Sequence, residues 1–140
     1  MEETVIVIML KNEETGFFEK ELGCYKIEEN QNLIYNTYAI EKDGAYKVYM
    51  KITIDKEIED WEFDAIYDYY DMETLLPFVT YIEEESDCYN PTWIISFDFI
   101  DSEEAMEEKI SNLLALHKGE LLSVYEAIED KKDEYINDEE

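Results

Sequence analysis

LIYNTYAIEKDGAYKVYMKITI, residues 33–54, is the stretch on which the fold turns. Asp43-Gly44 sits between two runs rich in Ile, Tyr, Thr and Val. In that setting Asp-Gly marks a two-residue type I′ hairpin turn, because both central residues need a positive φ that Gly adopts freely and Asp tolerates. Such a turn pairs Lys42 with Ala45. One face of the ladder then carries Ala39/Val48, Thr37/Met50, Tyr35/Ile52 and Leu33/Ile54. The other carries Ile40/Lys47, Tyr38/Tyr49, Asn36/Lys51 and Ile34/Thr53. The first face is mostly apolar and the second is mixed, so turn chemistry and alternation select the same register.

Upstream, Thr4 to Leu10 is continuously apolar, as in a strand covered on both faces. Glu13–Gly16 reads as a turn, Phe17 to about Ile27 as a second strand with a bulge near Gly23, and Glu28–Asn32 as a polar loop. Downstream, Phe63, Ile66, Tyr67 and Tyr70 follow helical spacing, which predicts a helix over about 60–70. Pro77 to Ile82 reads as a strand, Glu83–Asn90 as an acidic loop, and Thr92–Ile100 as a strand with Trp93, Ile95, Phe97 and Phe99 on one face. Asp101 and Glu104 fit an acidic capping box. Met106, Ile110, Leu113, His117, Leu121, Val124 and Ile128 then recur at steps of three and four, widened by Leu114 and Tyr125. A helix from 102 to about 134 would be ~50 Å long, longer than a compact domain of this size, which spans under ~40 Å. It should therefore bend near Gly119 or meet a second molecule through Leu121, Val124, Tyr125 and Ile128, which makes a homodimer through this helix an expectation. The order ββββ-α-ββ-α, without a βαβ rhythm, predicts one α+β domain over 1–134: a mainly antiparallel sheet covered by the long C-terminal helix. Residues 135–140 should fray as an acidic tail.

The chain has 140 residues, 38 acids and 11 bases, all Lys, for a net charge of −27. Residues 55–101 hold 15 acids against Lys56 alone, net −14. The lack of Arg and of a basic footprint argues against phosphate recognition and direct nucleic-acid binding. Anionic lipid would repel such a chain, and the opening MEETVIVIML has neither the basic start of a leader nor the length of a membrane span. A cytoplasmic location follows as the expectation. Cys24 and Cys88, with no CxxC and no His nearby, read as two buried, inert thiols.

Catalytic and metal readings are weak. His117, the only His, falls on the apolar stripe and reads as a core residue. The Glu107-x-Lys109 pair falls on a solvent face. Glu83, Glu84, Glu85 and Asp87 lack the central Gly of a calcium loop and read as a solvated run. No catalytic residue, metal ligand or cofactor is assigned. The candidate surface is instead the carboxylate row Asp60, Asp64, Asp68 and Asp71, with Glu62 beside it. Tyr67, Tyr69, Tyr70 and Tyr89 would supply aromatic contacts.

EDWEFDAIYDYYD (59–71), NPTWIISFDFID (90–101) and VYEAIEDKKDEY (124–135) resemble an uncharacterised family of small acidic proteins from clostridia and related low-GC bacteria. That resemblance implies a bacterial cytosolic protein and brings no activity with it. The leading expectation is a non-catalytic protein-interaction module whose acidic surface meets another protein, with a basic protein among the candidates. A nucleic-acid mimic that blocks a basic partner is the second reading. A small-molecule binder or enzyme with a pocket between sheet and long helix is the third.

Overall fold

Asp43 and Gly44 adopt φ of 54° and 83° in the computed structural model, which describes residues 4–27, 29–85 and 89–136. The turn joins β3 (Ile34–Lys42) to β4 (Ala45–Ile52). Lys42 faces Ala45, Tyr38 faces Tyr49 and Asn36 faces Lys51, the register the turn dictates. Beyond Asn36 a one-residue irregularity sets Ile34 against Ile52 and releases Leu33 into a short 3-10 turn over Gln31–Leu33.

β1 (Thr4–Lys11) and β2 (Phe18–Ile27) form a second hairpin, in which Leu22 is the extra residue beside Gly23. α1 (Asp60–Tyr69), β5 (Tyr81–Glu85), β6 (Thr92–Asp98), α2 (Glu103–Ile128) and the short α3 (Lys132–Ile136) follow. The six strands lie in the order β2-β1-β3-β4-β6-β5, antiparallel except where β1 meets β3. The fold is α+β, with a mostly antiparallel sheet and a long C-terminal helix.

Several boundaries differ from the sequence reading. Pro77 sits in a 3-10 turn over Leu76–Phe78 rather than opening β5, since its fixed φ suits a turn. Glu83, Glu84 and Glu85 are strand residues rather than loop; Asp87 and Cys88 lie outside the described residues. Ser102, not Asp101, caps α2 by accepting the Ala105 amide at 3.3 Å.

α2 supplies the cover. Met106, Ile110, Leu114 and Leu121 are 0% exposed, as are Ile8, Met50, Trp93 and Ile95 on the sheet side of the same apolar cluster. α2 runs unbroken through Gly119 and stops at Ile128, so it is about 39 Å long at 1.5 Å per residue. That length fits the domain, and the chain turns back into α3. Leu121, Val124 and Ile128, expected to bend away or meet a second molecule, are 2% exposed or less inside the chain's own core. Tyr125 is half-buried under the Lys56 ammonium, 4.2 Å from its ring. The reason is tertiary: α1 and the 53–58 segment extend the apolar layer beneath the second half of α2. Tyr135 and Ile136, expected to fray, belong to α3, where the Tyr135 ring lies 6.1 Å from that of Trp61.

Among the described residues the helices occupy one face of the sheet and leave the other face open. β1 was to be covered on both sides by its composition. It buries Ile8 and Leu10 but leaves Val5 and Val7 half exposed. Among the described residues no helix is long and apolar enough to cross a membrane.

Candidate interaction surfaces

α1 begins at a capping box. Glu62 accepts the Glu59 amide at 2.9 Å, and the Glu59 carboxylate takes the Trp61 indole N–H at 2.7 Å. That indole bond, with Lys132 at 3.6 Å, holds the Glu59 carboxyl below its usual range. Glu62 is thus half-buried and committed to the helix start. Asp60, Asp64 and Asp68 of α1 remain exposed, as does Asp71, which lies beyond the helix end at Tyr69 rather than continuing the helical row expected from sequence. The Asp60 and Asp64 carboxylates accept no hydrogen bond among the described residues, while Asp68 accepts the Tyr135 hydroxyl at 2.8 Å. Burial and that bond push the Tyr135 hydroxyl well up. Asp71 caps the next turn by accepting the Glu73 amide at 3.0 Å. Among the described residues no Lys pairs with Asp60, Asp64, Asp68 or Asp71; the ion pairs of this side join Lys118 to Asp55, Lys132 to Glu59 and Lys131 to Glu134.

The tyrosines divide. Tyr69 is 40% exposed, and Tyr89 is 95% exposed. Tyr67 is half-buried and takes the Thr92 amide at 2.8 Å. Tyr70, expected at the surface, is 6% exposed. It stacks on Trp93 with ring centres 4.2 Å apart, and its hydroxyl lies 2.8 Å from His117 Nδ1. The helical spacing of Phe63, Ile66, Tyr67 and Tyr70 already places Tyr70 inward, so the period was the better guide than the polarity of the ring.

His117 is a core residue. Its Nε2–H donates to the Thr53 carbonyl at 2.7 Å, which leaves Nδ1 to accept from Tyr70. Burial, outweighing the Thr53 bond, pulls its pKa down to about 4. A neutral imidazole with both nitrogens occupied and no exposed edge ties α1, α2 and the 53–58 segment together rather than moving a proton for a substrate. Cys24, expected to be buried, is exposed on the outer strand β2. Local desolvation and the Glu21 and Glu103 carboxylates push its thiol up, so it is a poor nucleophile.

The uncovered sheet face was missed from sequence. Side chains alternate along a strand, so the ladder turns Lys11, Lys26, Lys42, Lys47 and Lys51 onto this face. Tyr38 and Tyr49 stack at its centre, 5.6 Å apart. Lys11 sits over Tyr38 at 4.8 Å and Lys42 over Tyr49 at 6.0 Å. Lys47 pairs with Asp98, and Lys51 with Glu85 at 3.5 Å. Glu83 and Glu85 point to this face while Glu84 points away, so strand alternation splits the acidic run. The pairing of the hairpin was the available signal: Tyr38/Tyr49, Ile40/Lys47 and Asn36/Lys51 already share a face in the sequence. Glu120, which accepts the Asp71 amide at 3.0 Å and the Thr74 hydroxyl at 2.9 Å, was also missed. It gives no local sequence signal, because its partners lie 46 residues or more away.

These features define a class: a six-stranded α+β sheet with helices on one face, an acidic helical side and a lysine-tyrosine sheet face. Among the described residues no three His, Cys, Asp or Glu converge as they would around a metal ion. The chain belongs to the family described as "Family of unknown function (DUF6762)", whose model matches residues 1–136. No curated protein and no solved structure matches the chain.

Proposed function

We propose that the protein is a non-catalytic interaction module whose acidic helical side docks a protein with a basic surface. One observation carries this: Asp60, Asp64, Asp68 and Asp71 stay exposed and unpaired with Lys among the described residues, although Lys118, Lys131 and Lys132 lie on the same side and pair with other acids. Leaving like charges ~6 Å apart on a helix costs a few tenths of a kcal/mol per pair. An uncompensated row of this kind raises the encounter rate with a cationic partner. A cytoplasmic, bacterial setting belongs to the same reading, supported by the acidic composition and by the clostridial resemblance.

The test is a variant with Asp60, Asp64, Asp68 and Asp71 all changed to Asn. Asn keeps an acceptor oxygen for the Tyr135 hydroxyl and the Glu73 amide, so the fold is retained. Basic proteins captured from the source cell at 0.05 M salt should be lost at 0.5 M salt, and lost by the variant at low salt. Partners that the variant retains at low salt would refute the reading. The nucleic-acid mimic is its special case, in which duplex DNA competes for the same partner.

A further inference from the structure

β1 lies between β2 and β3, yet Val5 and Val7 on its open face are 50% and 40% exposed. An interior strand that is apolar on both faces has the composition of one covered on both. The open face also has the area of an interface. Six strands spaced ~4.8 Å apart and about seven residues long give roughly 700 Å² per chain, close to the ~800 Å² per partner of a stable complex.

We propose that this face is covered by the same face of a second copy, in a two-fold dimer whose axis runs along the strands between β3 and β4. The charge pattern selects both the occupant and the axis. The ladder places Val7 level with Ile94, Tyr38 with Tyr49, and Lys11 with Asp98, each pair straddling the sheet's midline. A two-fold along the strands reverses each row left to right. Val7 then meets Ile94 of the second copy, Tyr38 meets Tyr49, and Lys11 meets Asp98. The half that carries Lys11, Lys26 and Lys42 thereby lies on the half of the second copy that carries Asp98, Glu83 and Glu85 beside Lys47 and Lys51. An axis across the strands would instead set the acidic β5 of one copy on that of the other.

Four tyrosines gather at the centre, where aromatic anchors contribute most, and the Lys11–Asp98 pairs flank them on one side and the Val7–Ile94 pairs on the other. Packed sheets align to about 30°, and a Lys side chain spans the resulting offset. Asp98 already holds Lys47 of its own chain, and its second oxygen is available to Lys11. The contact differs from the helix-mediated dimer suggested by sequence, of whose residues Leu121, Val124 and Ile128 are buried within the chain and Tyr125 is half-buried.

Sedimentation velocity of the full chain tests the proposal. The parent should run as a dimer, twice 16.7 kDa, at tens of micromolar in 0.15 M salt. It should associate more weakly at 0.01 M, where two chains of −27 repel over a longer range. Val7→Asp buries an unpaired charge beside the central tyrosines and should give a monomer with an unchanged far-ultraviolet dichroism spectrum. Lys11→Glu should weaken association about tenfold, and adding Asp98→Lys should restore it. A parent that is monomeric at both salt concentrations overturns the proposal and assigns the face to a different partner. A dimer indifferent to Val7→Asp, or a charge swap that restores nothing, overturns it as well.

Discussion

Tyr70 and His117 show what one residue's environment does to its chemistry. His117 is held neutral by burial, with its pKa at about 4 against 6.5 when free. Between those values the unfolded chain takes up a proton that the folded chain refuses. The stabilisation is therefore fully present above pH 6.5 and is lost as pH falls toward 4, by about 3 kcal/mol in total. Urea unfolding at several pH values checks this. The stability of the parent relative to His117→Asn should fall across that window and stay level above pH 7. The apolar stripe made the core placement of His117 legible in sequence. Its bonds to Tyr70 and Thr53 were not, because they join residues 47 and 64 positions away. Tyr70 itself was legible by period and obscured by the hydroxyl, which reads as polar until a buried acceptor is found for it.

At the scale of elements, local chemistry was the reliable guide. Asp43-Gly44 decided a hairpin register, and the three-four stripe decided which side of α2 is buried. What failed were inferences that needed tertiary context. The stripe beyond Gly119 was assigned to a bend or a second molecule, because nothing local shows that α1 and the 53–58 segment lie beneath it. β1 was read as covered on both faces, because an apolar run does not say how many layers a fold contains. Gly119 has its own consequence. It lies inside a continuous helix on an exposed face, and a Cβ added there meets nothing within 4 Å. Gly119→Ala should therefore stabilise the fold by about 1 kcal/mol through helix propensity alone. Melting temperature should rise by roughly 3 °C, and an unchanged or lower value would show that the glycine serves the helix in another way.

For the whole molecule, the charge of −27 opposes compactness. Salt shortens the screening length from ~30 Å at 0.01 M to ~8 Å at 0.15 M. Melting temperature should rise by several degrees over that range and further with millimolar Mg²⁺. Measuring it on Val7→Asp keeps association out of the result. A flat profile would mean that the acids are compensated locally. Total charge was legible in the composition, but which acids stay unpaired was not, since that depends on where the fold places each Lys. The position of the cover in the chain has a consequence in time. The β3–β4 hairpin is complete by Ile52, yet α2 ends at Ile128. At the usual pace of translation, the intervening residues take roughly 4 to 15 s to be made. For that interval the nascent chain carries an apolar sheet surface without its lid and a β4 edge still waiting for β6. The acidity of the segment made meanwhile should repel neighbouring nascent chains until the last helix seals the core.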